Sequence, residues 1–228
     1  MQPMPGYQVK FEDVVIGGAN FHIRSLRDNQ QYADPLGIAE QRGIPPAGWA
    51  LFGLVWPSAR VLALGMASHG LAGKRVLEIG AGLGLASLVM HRRGGDITVS
   101  DLHPLSAEFF AHNLRLNALG PMPHYGGAWA DVGGAGDALH ADTRLGRFDL
   151  IVGSDVLYER QQPAQLANFI DRHSAEGAEV LIVDPDRGNR SDFRRLMAQR
   201  GFRFDSHPAE RQLENGVAYK GRWLRFVR

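Results

Sequence analysis

Residues 76–84 read Val76-Leu77-Glu78-Ile79-Gly80-Ala81-Gly82-Leu83-Gly84, an apolar run that carries an acid and then breaks into three alternating glycines. The next apolar run closes on a second acid, Asp101. A strand that must stop, turn tightly and start a helix needs residues without a Cβ. Gly80 and Gly82 supply them, and Gly84 lets the chain pack closely. A helix over Leu83 to Arg93 would aim its amide-rich end at a carboxylate or phosphate. At the tip of the neighbouring strand a carboxylate can accept hydrogen bonds from both hydroxyls of a ribose, the role expected of Asp101. The two acids and the glycine turn together point to a nucleotide-type cofactor on an α/β sheet.

Two cofactors share this layout. A dinucleotide fingerprint places its third small residue at position 85, where this chain has Leu85, the glycine having come one place early. Glu78, two residues before the first glycine, suits instead a cofactor with an amino-acid portion, whose ammonium a nearby acid stabilises. S-adenosylmethionine is such a cofactor and is the one expected, with a nicotinamide dinucleotide as the alternative. The expected contacts are Glu78, Gly80, Ala81, Gly82 and Asp101.

A second chemical signal closes a later apolar run, Asp149-Leu150-Ile151-Val152-Gly153-Ser154-Asp155-Val156-Leu157-Tyr158. Ligands of open parallel sheets lie beyond the carboxyl ends of the strands, so Asp155 and Tyr158 fall where a substrate meets the cofactor. Both can accept hydrogen bonds from an amine and hold its lone pair toward a sulfonium methyl, and the carboxylate stabilises a cationic acceptor. Asp155 and Tyr158 are therefore the candidate catalytic residues. The plainer alternative is that Asp155 caps the following turn and Tyr158 packs. Adenine-directed amino methyltransferases carry Asn- or Asp-Pro-Pro-Tyr at this place, and the absence of both prolines speaks against a nucleobase target.

These residues need a scaffold, and the hydrophobic pattern supplies it. Runs at Gln8–Ile16 and Ala19–Leu26, split by Gly17-Gly18, read as a hairpin with a primed turn. A loop rich in Pro, Gly and Asp follows, then a helical pattern from Pro57 to His69. From Gly73 onward strands and helices alternate: strand Arg75–Ile79, helix Leu83–Arg93, strand Ile97–Ser100, helix Leu105–Asn117, a short strand at His124–Ala128, a loop over Asp131–Gly146, strand Phe148–Gly153, helix Pro163–His173, strand Glu179–Val183 and helix Arg190–Arg200. Such alternation implies a parallel sheet with crossover helices. The last runs, Phe202–Ser206 and Val217–Val227, have no helix between them and read as an antiparallel closing pair. The expected fold is α/β and Rossmann-like: seven strands, mostly parallel, the last antiparallel, plus the N-terminal hairpin. Residues 1–48 are expected to form the hairpin and loop extension, and 49–228 the main domain.

Composition narrows the classes. A chain of 228 residues with 44% hydrophobic content can bury one large core. It has no cysteine, so disulfides and thiolate metal sites are excluded. Its net charge of +1 is far from that of a dedicated nucleic-acid binder. The first ten residues lack an apolar signal core and the apolar stretches are strand-length, so a cytoplasmic protein without membrane segments is expected. No metal site is expected: the nine histidines form no His-x-x-x-His or His-x-Glu pattern on a helix face, and Asp184 with Asp186, two carboxylates near a strand end, is the alternative that could hold a divalent ion. His103, before Pro104, reads as an ordinary loop histidine.

Trp56-Pro57, the Glu78–Gly84 loop, Ser100-Asp101, Asn113 with Asn117, Trp129 and the Asp155-x-x-Tyr158 element together resemble a family of seven-strand, S-adenosylmethionine-dependent protein methyltransferases. Its members include the lysine methyltransferases of the electron-transfer flavoprotein β-subunit and of valosin-containing protein, and a histidine-directed member. The resemblance covers about residues 45 to 200, and the Asp-x-x-Tyr element is its most specific part. It implies that Trp56, Glu78, Gly80, Gly82, Asp101 and Trp129 line the cofactor pocket, that Ser154 touches it, and that Asp155 and Tyr158 face the substrate. Ala130 stands where a glycine often follows the tryptophan, and the alternative for Trp129 is a core position. The stretch Val183-Asp184-Pro185-Asp186-Arg187 is closest to the flavoprotein-directed members. The implied activity is methyl transfer to nitrogen, with a protein lysine as acceptor; a small-molecule N- or O-methyltransferase, or a cofactor-binding protein without turnover, uses the same core.

Overall fold

The computed structural model describes residues 7–31, 33–127, 129, 145–158, 162–186, 188–209, 212–213 and 216–228. The expected loop over Asp131–Gly146 lies outside the described residues up to position 144. Strands β1 (Val9–Ile16) and β2 (Ala19–Leu26) pair antiparallel, with Ile16 opposite Ala19. Only two residues remain for the turn, and Gly17 and Gly18 both take positive φ, 57° and 78°, as a type I′ turn demands. A four-residue helix, α1 (Ile38–Gln41), two short 3-10 turns and α2 (Pro57–Met66) lead to the main sheet. The stretch Pro46–Met66 is long and apolar enough by composition to cross a membrane. It is not one helix, however, because Leu54 and Trp56 are extended at ψ 148° and 149°.

The main sheet has seven strands: β3 (Arg75–Ile79), β4 (Asp96–Asp101), β5 (His124–Gly126), β6 (Phe148–Ser154), β7 (Ser174–Asp184), β8 (Arg203–Pro208) and β9 (Arg222–Val227). Their order is β5-β4-β3-β6-β7-β9-β8, and β9 alone runs against its neighbours. Helices α3 (Leu85–Arg92), α4 (Ser106–Leu116), α5 (Gln162–His173) and α6 (Arg190–Gln199) make the crossovers. Strand order reverses between β3 and β6, which opens a crevice at their carboxyl ends.

Both faces of the sheet are covered, so the central strands carry apolar residues on both faces. Side chains alternate across the pleat. Val76, Leu150, Val152, Leu181 and Val183 pack into one cluster with residues of α2, α3 and α4. Leu77, Ile79, Ile151, Val180 and Ile182 pack into the other with α5 and α6. The hairpin joins the first cluster through Val14, Phe21, Ile23 and Leu26.

A pair of helix side chains completes the hairpin's outer edge. The N–H groups of Arg24 and His22 donate to Asn113 Oδ1 at 2.8 Å and Asn117 Oδ1 at 3.0 Å. The two amide nitrogens return bonds to Arg24 O at 3.3 Å and His22 O at 2.8 Å. The spacing explains the fit: four helical residues advance about 6 Å and two strand residues about 6.6 Å. The side-chain amides thus act as a surrogate strand, blunting an exposed edge.

Several boundaries differ from the sequence pattern. α3 starts at Leu85 rather than Leu83, because Gly84 takes φ 69° and ends the glycine turn there. α2 ends at Met66, with looser turns to His69. β7 begins at Ser174, directly after α5, because a register shift opposite Phe148 and Leu150 lets the non-periodic residues 174–178 join the sheet. β9 begins only at Arg222, since Ala218 bridges Gln212 instead.

Candidate active site at the carboxyl edge of the sheet

The site begins with the turn after β3. Gly80 and Gly82 take φ of 56° and 55°, and neither has room for a side chain. A Cβ on Gly80 would lie 2.8 Å from Val156 Cγ1, with the Trp129 ring 3.6 Å away; one on Gly82 would lie 2.7 Å from the Phe52 carbonyl oxygen. These glycines therefore serve close packing as well as turn geometry. Ala81 N–H donates to Ser100 O at 3.1 Å, which ties the turn to the tip of β4.

Glu78 is buried at 2% exposure. Its Oε2 accepts the Ser87 N–H at 2.8 Å and the Ser87 hydroxyl at 2.5 Å. Ser87 is the third residue of α3, so Glu78 caps that helix from outside. One of the first-turn amides at the amide-rich helix end is therefore already taken by Glu78. Burial pushes the Glu78 carboxyl up to about 7 against the pull of the Ser87 bonds, with Asp101 adding repulsion.

Asp101 closes β4 at 9% exposure. Its Oδ2 accepts Gly82 N–H at 2.7 Å and its Oδ1 accepts His103 N–H at 2.8 Å. Each carboxylate oxygen has a second lone pair, so a diol can still be accommodated. Burial raises its proton affinity, and the two N–H groups and Arg42 oppose the rise. Arg42, on the residue after α1, donates to Leu102 O at 3.0 Å and brings the N-terminal segment onto the β4 edge. Nothing in the local sequence marks it.

His103 is not an ordinary loop residue. It is 5% exposed and stacks on Phe52 with centroids 3.8 Å apart at 10°. Its Nδ1 accepts Leu105 N–H at 3.2 Å, and burial holds it neutral, down to about 4. Behind it, the Ser106 hydroxyl donates to Gly82 O at 3.0 Å, so the His124 Nε2 at 3.0 Å must be the donor to Ser106. Trp129 is half-buried against the second cluster, beside Gly80. Trp56 precedes α2 and its indole N–H is satisfied by Leu51 O at 2.8 Å.

The second half of the site lies one strand over. Gly153 of β6 is in register with Ile79, so Ser154 and Asp155 stand beside the glycine turn. Asp155 has φ 53°, a left-handed conformation tolerated by Asp, and its N–H donates to Val183 O at 2.8 Å. The backbone strain is thus fixed by the neighbouring strand, as at many functional sites. Leu157 O accepts Asn189 Nδ2 at 2.8 Å, which clamps the turn to the start of α6, while Tyr158 stays 45% exposed.

Asp184, at the end of β7, is wholly buried, and neither oxygen has a hydrogen-bond partner among the described residues. Burial pushes it up to about 6, Arg190 opposing and Asp155 adding to the rise. Asp186 is engaged by Arg190. The structure therefore brings Glu78, Gly80, Ala81, Gly82, Asp101 and Trp129 to one wall of the crevice, and Ser154, Asp155 and Tyr158 to the adjacent strand end. Trp56 lies on the segment that follows Phe52, whose carbonyl approaches Gly82, and is tied to it through Leu51 O.

This architecture recurs in known proteins. The 16S rRNA methyltransferase RsmC of T. thermophilus, solved in complex with AdoMet and guanosine, superposes with a TM-score of 0.62 at 21% identity, covering 99% of this chain and 52% of that one. In sequence, the electron transfer flavoprotein beta subunit lysine methyltransferase of Rattus norvegicus is 29% identical over 143 residues, 61% of this chain and 51% of the relative. Protein N-lysine methyltransferase METTL21A of Danio rerio is 33% identical over 133 residues, 57% of this chain and 58% of the relative. The chain thus matches only about half the length of these curated relatives. A family model described as lysine methyltransferase matches residues 44–199, a span that holds the glycine turn, both buried acids and the Asp155–Tyr158 turn. On that match, this chain belongs to the lysine methyltransferase family.

Proposed function

We propose that this chain transfers a methyl group from S-adenosylmethionine to the side-chain nitrogen of a lysine in a protein. The observation that carries the reading is Asp155, held at φ 53° by its bond to Val183 and set one strand from the glycine turn. The residues present fit the cofactor. Two neighbouring buried acids, Glu78 and Asp101, match an ammonium and a pair of ribose hydroxyls. They would repel a pyrophosphate, and Leu85, 2% exposed, fills the place where a dinucleotide motif wants a small residue.

When bound, S-adenosylmethionine supplies an electrophilic methyl on a sulfonium. The chain's residues supply position: Asp155 accepts a hydrogen bond from the incoming amine and Tyr158 flanks it, so that the amine lone pair faces the crevice. Asp184 raises the negative potential around Asp155 and favours a cationic acceptor at this edge. No enzyme nucleophile is needed.

The test is to incubate the purified protein with radiolabelled S-adenosylmethionine and cell extract. Label should enter a protein band, and acid hydrolysis should release methyl-lysine. Asp155→Ala should abolish labelling while cofactor affinity, read by calorimetry, stays within about twofold. Label confined to small molecules would move the acceptor to a metabolite, and full turnover by Asp155→Ala would sink the assignment of that residue.

A further inference from the structure

Next to the catalytic turn, α6, β8 and β9 enclose a cleft of about 210 Å³ lined by Arg190, Ser191, Arg194, Phe204, Ser206 and Arg222. Three of these six residues are arginines, and no acid lines it among the described residues. Arg190 pairs with Asp186. Arg222 donates through Nη2 to Ser206 O at 3.2 Å and Ser206 Oγ at 3.1 Å, and the Arg194 guanidinium lies 5.4 Å from the Phe204 ring centroid. Neither Arg194 nor Arg222 has a carboxylate partner among the described residues. Two of the three guanidinium groups, whose forks fit carboxylates, are thus left without an acid partner among the described residues.

The sheet register places this cleft relative to the chemistry. Ser154 is opposite Val183, and the next residue of β7, Asp184, is opposite Arg222, which is in turn opposite Pro208. Asp155, Asp184, Arg222 and the end of β8 therefore form one row along the carboxyl edge. At about 4.8 Å between strands, Arg222 stands roughly 10 Å from Asp155. An extended peptide advances about 3.3 Å per residue, so three residues span that gap.

We propose that this cleft binds an acidic side chain, aspartate or glutamate, of the protein substrate about three residues from the lysine to be methylated. This specificity rests on the lysine-methylation reading above, whereas the anion-binding chemistry of the cleft does not depend on it. Arg194 and Arg222 act as positioning residues: they fix the register of the peptide and leave the transfer step to the crevice.

The experiment uses two readouts on the full chain. The first is binding of fluorescein-labelled hexaglutamate, followed by fluorescence anisotropy. The second is labelling of extract proteins from radiolabelled S-adenosylmethionine. The variants are Arg194→Glu, which is exposed, Arg222→Ala, and as a charge-matched control Arg203→Glu at the opposite end of β8. Arg194→Glu and Arg222→Ala should each weaken hexaglutamate binding at least tenfold and cut protein labelling at least tenfold, with cofactor affinity and melting temperature retained. Arg203→Glu should change either readout by no more than about twofold. Equal weakening by Arg203→Glu and Arg194→Glu, or undiminished protein labelling by Arg194→Glu, would overturn the proposal. If the unaltered protein binds S-adenosylmethionine but labels no protein, the lysine reading fails instead, and the anisotropy comparison alone still decides whether the cleft selects anions.

Discussion

Glu78→Gln should change how stability depends on pH, and the size of the change follows from burial. Glu78 is 2% exposed, and its proton affinity rises from an ordinary 4.5 to about 7 because a carboxylate loses its hydration there. The folded chain therefore keeps this proton where the unfolded chain releases it. The stability linked to the group is fully present below about pH 4.5, falls as pH rises through the interval, and levels off above about 7. At about 1.36 kcal/mol for each pH unit of difference, the loss is roughly 3 kcal/mol. Glutamine keeps an oxygen for the Ser87 N–H but cannot ionise, so it removes this dependence. Urea denaturation of both proteins from pH 4 to 8 isolates it, because the buried Asp184, His103 and His124 titrate alike in each. Relative to the variant, the unaltered protein should lose roughly 3 kcal/mol across the interval. An ammonium beside Glu78 favours the carboxylate, so S-adenosylmethionine affinity should also rise toward pH 7 more steeply in the unaltered protein than in the variant, where Asp101 alone of the two acids still titrates. A stability difference that does not vary with pH would refute the burial argument.

Other substitutions test the scaffold. Gly82→Ala puts a Cβ 2.7 Å from the Phe52 carbonyl at φ 55°, whereas Gly94→Ala, at φ 79° with nothing within 4 Å, carries only the left-handed cost of about 1–2 kcal/mol. Thermal melting should show the larger loss in Gly82→Ala, and equal losses would remove the packing role given to Gly82. Asn113→Ala deletes both bonds to the Arg24 backbone in a buried site and should cost about 1–3 kcal/mol. Hydrogen exchange should show the Arg24 amide losing protection; unchanged exchange there would contradict the surrogate-strand account. Phe110→Ala, 1% exposed, empties space against Gly84 and should cost about 3–5 kcal/mol in urea denaturation.

Much of the architecture was legible because the sequence writes it locally. Gly17-Gly18 names its turn type, and the runs from Arg75 to Ile79 and from Asp149 to Gly153 carry consecutive apolar residues on both faces, as interior parallel strands do. The reach of the local code ends where contacts come from afar. Residues 174–178 carry no period, and only their neighbour β6 draws them into β7. His103 looked like a loop residue because its partner Phe52 is 51 positions away.

The same division holds for the site. The sequence alone determined that two acids and a glycine turn stand at strand ends, since residue type and spacing fix backbone geometry within a few residues. It also placed Asp155 and Tyr158 at a third strand end. Only the tertiary structure decided what those groups are like. It buried Glu78 against Ser87, set Val183 to hold Asp155, brought Arg42 to Asp101, and left Asp184 buried without a hydrogen-bond partner among the described residues. It also gathered Arg190, Arg194 and Arg222 from one helix and a distant strand into a single cleft. Proton affinity and charge complementarity depend on every group within a few ångströms in space, and a sequence records only which groups are neighbours along the chain.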